Sequence, residues 1–135
     1  METKEFKTEW CLLQNQFDSY EKHSLYIKLL GVIVLLAAEI SDVINIFIAL
    51  VLVVLWLQDA IWKTFQSRIE SRLLQIERYI SDKSEGSAFQ FNSEYHRVSL
   101  SGISLINEYF RQSIRPTVAF PHIVLILILL AEHIL

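Results

Sequence analysis

Three runs of apolar residues, 25–40, 43–62 and 118–135, constrain this chain more than anything else in it. A helix that is apolar on every face must be buried, in lipid or in a large protein core. A chain of 135 residues has room for one compact unit, and the part left over after the three runs is too small to wrap them. Each run lies near the short end of the roughly 17–25 residues that cross about 30 Å of hydrocarbon. The expected fold class is therefore all-α, an integral membrane protein. Its parts are a transmembrane helical hairpin closed by Glu39-Ile40-Ser41-Asp42, cytoplasmic helical extensions, and a third, C-terminal transmembrane helix. A hydrophobic fraction of 53% and a mean hydropathy of +0.36 agree, being too apolar for an ordinary soluble domain.

A long polar or amphipathic stretch precedes the first run, which is wrong for a cleaved secretory signal. That run is expected to persist in the mature protein. Residue 2 is Glu2 rather than glycine and no prenylation box is present, so spanning helices are the expected route to the membrane.

Orientation follows from the cations, because Lys and Arg are retained on the cytoplasmic side. Lys4, Lys7, Lys22 and Lys28 precede or open the first run. Lys63, Arg68, Arg72, Arg78, Lys83, Arg97, Arg111 and Arg115 lie between the second and third. The far side carries only Glu39, Asp42 and Glu132 as charges. The expected topology has the N-terminus cytoplasmic, and the hairpin loop and C-terminus outside. A formal charge of −3 and the absence of a dense basic cluster exclude nucleic acid as a direct partner.

The segment 1–24 places Phe6, Trp10, Leu13, Phe17 and Tyr20 at alternating steps of four and three, a coiled-coil seam that continues through Ser24, Ile27, Gly31, Val34 and Ala38. One unbroken helix through the first span is expected, with close backbone approach at Gly31 and Ala38. Within 63–115, Phe65, Ile69, Leu73 and Ile76 fall on one helical face with Ile61 and Ile80. The two seams predict an antiparallel cytoplasmic stalk. A loop is expected over 81–87, within a broader break at 81–93, and Asn92, Ser93 and Glu94 could cap a new helix. Ile103, Ile106, Phe110 and Ile114 then define an amphipathic stretch, with Pro116 and Pro121 expected to break or bend it before the third span.

Asn45, Ala49, Leu52, Trp56 and Asp59 share one face of the second run, with a polar residue near each end. Ionisable groups at membrane depth are costly and mark functional positions, so Asp59, Asn45 and Lys28 are the candidate polar residues. Asp59 and Lys28 also have a plainer reading. Asp59 at the cytoplasmic interface is satisfied by water, by Lys63 one turn on or by Lys28 of the neighbouring helix, and Lys28 snorkels. Trp56 and Trp62 are placed as interface anchors, and Trp10 in the stalk core.

His122 lies at one end of the third run and Glu132 and His133 at the other, too far apart to share a metal ion, while His23 and His96 are isolated. No phosphate-binding glycine loop, nucleophile elbow, catalytic carboxylate pair or Cys/His ligand spacing occurs. The chain is therefore not expected to be an enzyme or to hold a cofactor or metal. Cys11, the only cysteine, has no internal partner and reads as a small apolar filler kept reduced in the cytoplasm.

The stretch Trp56-Leu57-Gln58-Asp59-Ala60-Ile61-Trp62, leaving a second apolar run and leading into a helix rich in Arg and Glu, resembles a group of small bacterial membrane proteins of largely unassigned role. In these, a two-span hairpin ends in Trp-x-x-Asp-Ala with an aromatic close behind, then a charged helix and a later apolar segment. The likeness covers about residues 26–77, and Gln66-Ser67-Arg68 replaces the Glu-Arg pair that usually follows the Asp. Some relatives appear beside bacterial antiphage or nucleotide-signalling genes, so the resemblance implies a membrane effector, with antiphage defence at the inner membrane as the expected setting.

Two functions are expected of such a chain. One is a homo-oligomeric effector or channel-like assembly that perturbs the bilayer, its copies associating through the stalk and hairpin seams. The other is an adaptor or accessory subunit that presents cytoplasmic helices to a protein partner, with Phe89, Phe91 and Tyr95 as docking points.

Overall fold

The computed structural model describes residues 2–82, 86–98 and 101–135, and no strand occurs among them. The helices are α1 (Glu2–Ile40), α2 (Ile46–Asp82), α3 (Phe91–Val98), α4 (Ile103–Ser113) and α5 (Pro116–Ile134). Of these, α1, α2 and α5 contain stretches long and apolar enough to cross a membrane. At 1.5 Å per residue, α1 and α2 are each more than about 50 Å long, so each carries an apolar half and a polar half without a break.

The hairpin turn is closed by backbone geometry. Asp42 takes the left-handed conformation (φ 52°) at the end of α1. Its amide donates to the Glu39 carbonyl at 3.1 Å and that of Val43 to the Ala38 carbonyl at 2.9 Å, a Schellman ending made with aspartate where glycine is usual. Asn45 then caps α2, its Oδ1 accepting from the amides of Phe47 (2.9 Å) and Ile48 (3.4 Å). The second helix thus begins at Ile46, three residues later than the apolar run at Val43, because the turn consumes Val43 and Ile44. On the turn side of the apolar bundle, Leu35, Leu52, Leu125 and Leu129 form a core with Val34, Ile44, Ile48 and Ile126 against it. Gly31 lets α5 approach α1: a Cβ there would lie 3.1 Å from Leu125 Cδ1.

In the stalk, the polar halves of α1 and α2 pack antiparallel. Phe6 is buried against Tyr79 with ring centroids 5.3 Å apart, and Ile69, Leu73 and Ile76 are buried opposite the α1 seam. Leu13, Phe17 and Phe65 are half-buried. Trp10 is half-buried at the edge, its indole Nε1 donating to Glu77 Oε1 at 2.9 Å, and the residue fully buried at that level is Glu9. The stalk core is therefore partly ionic. Cys11 is exposed rather than a filler, since it falls on the outer face of α1.

Nearer the apolar halves, Lys63 Nζ donates to Glu21 Oε2 at 2.7 Å, and Gln66 Nε2 donates to the same oxygen at 2.7 Å. The hydrogen bond from Lys63, then that from Gln66, holds the Glu21 carboxyl below its ordinary pKa, against a smaller opposing effect of burial. A carboxyl depressed in the folded state adds stability above its unfolded pKa and loses it as pH falls through the folded value. Acidification below about pH 4 should therefore loosen the stalk, and Glu21→Gln should remove that part of the pH dependence. Thermal melts of the detergent-solubilised protein between neutral and acid pH check this. Because Glu21 is largely exposed, solvent screening keeps the effect under about 1 kcal/mol.

α2 ends at Asp82, residues 86–90 are non-helical, and helical geometry resumes at Phe91, where the Gln90 carbonyl accepts from the Glu94 amide at 2.9 Å. Asn92 and Ser93 are thus inside α3 rather than capping it, and the expected loop falls partly on residues 83–85, which lie outside the described residues. Gly102, with φ 57° and ψ −128°, precedes α4 in a conformation reserved for glycine, so the stretch from α3 to Arg115 is two helices rather than one. Pro116 opens α5 at a position where its missing amide leaves no gap, whereas Pro121 lies within α5 and the helix runs through it.

Candidate functional site

The most buried polar group lies where the three apolar helices meet. Asp59 of α2 is 0% exposed and Ser24 of α1 likewise, and His122 of α5 is 2% exposed. Ser24 Oγ donates to Asp59 Oδ1, and His122 Nε2 lies 2.9 Å from Asp59 Oδ2. A carboxylate only accepts, so Nε2 is the protonated nitrogen of His122. Lys28, one turn beyond Ser24 on α1, sets its Nζ 3.6 Å from Asp59 Oδ2 and donates to Ser24 Oγ at 3.2 Å. The Trp56 indole stacks on His122 (centroids 6.3 Å apart, planes 10° apart) and its Nε1 donates to the Ser113 carbonyl at 2.9 Å. One carboxylate thereby ties α1, α2 and α5 together, and Trp56 adds the end of α4.

The spacing explains the convergence. Trp56 and Asp59 are three residues apart and share a face of α2, and Ser24 and Lys28 are four apart on α1. A buried charge is stable only when its oxygens are occupied, and three donors from two other helices occupy them here.

A Ser, a His and an Asp in contact are the parts of a hydrolytic triad, but their order differs. In a triad the histidine bridges the serine and the carboxylate and takes the serine proton. Here both Ser24 and His122 bond to Asp59, so the histidine does not bridge the serine and the carboxylate, and the hydroxyl is sealed from solvent. The arrangement joins three helices through a single carboxylate. Among the described residues no group of three His, Cys, Asp or Glu side chains could hold a metal ion.

Of the candidate polar residues, the structure joins Asp59 and Lys28 and leaves Asn45 apart, exposed as the cap of α2. Lys63 lies one turn from Asp59 but pairs with Glu21 instead. Trp56 is half-buried, its ring stacked on His122 and its indole nitrogen donating to the Ser113 carbonyl. Trp62 belongs to an aromatic group with Tyr20 (5.1 Å), His23 (5.0 Å, stacked) and Phe65 (6.4 Å), so His23 is not isolated. Sequence reasoning missed His122 and Ser24. The available signal was depth, since His122 and Asp59 each sit near the cation-rich end of an apolar run.

A second polar centre lies in the stalk. Arg72 Nε and Nη2 reach Glu9 Oε1 and Oε2 at 2.9 and 3.2 Å, both side chains almost free of solvent. The same pair anchors the loop before α3: Arg72 Nη2 donates to the Ser87 carbonyl at 2.9 Å, and the Phe89 amide donates to Glu9 Oε2 at 2.6 Å. Beside it, a cavity of about 270 Å³ is lined by Thr64, Ser67, Arg68, Phe91, Tyr95 and Glu108, among others. The Arg68 guanidinium carbon lies 3.2 Å from the centroid of the Tyr95 ring and 5.8 Å from that of Phe91. Phe91 and Tyr95 are therefore occupied by Arg68 and half-buried, and of the three expected docking aromatics only Phe89 is exposed.

No model of a known protein family, no curated protein and no solved structure matches this chain.

Proposed function

We propose that the chain is a bacterial inner-membrane protein, N-terminus cytoplasmic and C-terminus outside, that acts as a homo-oligomeric membrane effector with α5 latched to the α1–α2 hairpin by Asp59. The resemblance noted above, to proteins some of which appear beside antiphage or nucleotide-signalling genes, supports a role in antiphage defence. The reading is supported by one observation above the rest. A carboxylate fully buried among three candidate spans, held by a serine, a histidine and a lysine, is expensive to maintain in lipid, and such groups mark function. The orientation is supported by the cation pattern, with Lys28, Lys63 and Arg115 near the inner ends of the three helices.

The latch supplies a two-state element. With Asp59 satisfied, α5 closes on the hairpin, and with it unsatisfied, α5 is released to pack elsewhere, including on other copies. A signal needs only to bind one of these states more tightly. No span carries a polar stripe, so an open assembly either gates by dewetting of an apolar pore or disorders lipid at its boundary. The effector is favoured over the adaptor because Phe91 and Tyr95 face Arg68 inside the protein.

The test is dye release from liposomes holding the purified protein. Asp59→Asn should change the leakage rate at least about fivefold relative to the native chain, about 1 kcal/mol of shifted equilibrium. Liposomes that stay intact with both proteins, across pH and protein density, would refute the effector reading.

A further inference from the structure

For a helix in water, α4 is inside out. Gln112 and Ser113 are buried, whereas Ile103, Ile106, Phe110 and Ile114 are 77, 51, 60 and 70% exposed. These four recur at steps of three and four and so form one stripe. α4 ends at Ser113 and α5 begins at Pro116, and Phe120, one turn into the third candidate span, is itself 70% exposed.

The charges on this face have one sign. Arg111 and Arg115 are exposed beside the stripe. Glu108, the only acid of α4, is partly buried against the cavity, accepting from Gln112 Nε2 at 3.1 Å and facing Arg111 Nη1 at 3.2 Å. The outward face from 103 to 115 thus offers apolar side chains, two small polar ones and two cations, with no exposed acid.

We propose that this face docks on lipid. The α4 stripe lies against the cytoplasmic leaflet, with Ile114 and Phe110 deepest and Arg111 and Arg115 at anionic headgroup phosphates. Amphipathic helices bind this way through apolar burial plus attraction to anionic lipid. Continuity with the outer surface of α5 and the single sign of charge favour lipid over a second copy, which would have to bring acids to meet the arginines. The inference rests on the membrane orientation proposed above. It adds that the lipid boundary on this side runs up α4 rather than stopping at α5, and that anionic lipid strengthens the contact.

The experiment uses the full chain with Cys11→Ser, carrying a fluorophore on a cysteine at one of Val54, Leu12, Ile106, Phe110 or Ile114. Each is reconstituted in vesicles of zwitterionic lipid with or without phosphatidylglycerol and spin-labelled lipid as quencher. Val54, 63% exposed within the apolar half of α2, reports on the membrane reading itself, and Leu12, 61% exposed on the stalk, reports on the aqueous side. Quenching near the Val54 level at Ile114 and Phe110, weaker at Ile106 and least at Leu12, is expected. Anionic lipid should raise it at least about twofold at Phe110, and Arg111→Gln with Arg115→Gln should abolish that rise. Quenching at Val54 with α4 positions behaving like Leu12 overturns the inference and leaves the membrane reading standing. Protection of α4 without lipid quenching, with disulfide-linked dimers through Ile106→Cys, assigns the face to a second copy and also overturns it. No quenching at Val54 removes the membrane reading and this inference with it.

Discussion

Arg72→Met is expected to lower the unfolding free energy of the protein by about 3–5 kcal/mol, because it strands the Glu9 carboxylate in a nearly water-free stalk. The guanidinium engages both Glu9 oxygens, the Gln75 side chain at 2.8 Å and the Ser87 carbonyl, so no neighbour can take its place. Pairing the substitution with Glu9→Leu removes both charges and should recover part of the loss. Recovery stays incomplete because the Phe89 amide and the Ser87 carbonyl then lack partners, at about 1–3 kcal/mol for each that remains buried. Urea unfolding followed by circular dichroism in mild detergent gives the energies, and limited proteolysis reads the segment between α2 and α3, which the double variant should open to cleavage. A double variant no more stable than Arg72→Met would show that the ion pair does not act as a unit.

The other large effect belongs to the latch. Asp59→Ala leaves the Ser24 hydroxyl, His122 Nε2 and the Lys28 ammonium facing a methyl group, and His122→Ala removes the tie to α5 and the surface on which Trp56 stacks. Two residues in one hydrogen-bonded network do not add, and a double-mutant cycle should return a coupling of about 0.5–3 kcal/mol. A general loss of stability would not move α5 in particular, so a distance is the better readout. Spin labels at Leu36 of α1 and Leu127 of α5, both exposed, should give a narrow distribution in the Cys11→Ser background and a broad one once Asp59→Ala is added. An unchanged distribution would mean that Asp59 does not hold the third helix in place.

Much of the architecture was legible before any coordinates, for a physical reason. Apolar length and period are local properties, so α1 as one helix through Gly31, α2 continuing far past Trp62, and an apolar α5 follow from spacing alone. On the stalk seam Phe6, Ile69, Leu73 and Ile76 are buried. The error there, Trp10 for Glu9, came from ranking residues by hydrophobicity: the core at that level is filled by an ion pair, and nothing local in α1 announces that Arg72 waits opposite. Asn45 was misjudged for a related reason. Its place on the Asp59 face follows from helical period, but the turn ends one residue before α2 begins, and an asparagine there caps instead of facing the bundle.

What the sequence determined by itself is the three long apolar helices, their apolar faces and the one-sided distribution of cations, because these depend on neighbours three and four residues away. What only the tertiary structure decided is which polar groups meet: Asp59 with Ser24 and His122, Arg72 with Glu9, and the outward turn of the α4 stripe. Those choices depend on the register between helices that lie up to 63 residues apart along the chain, and a period within one helix carries no record of its rotation against another.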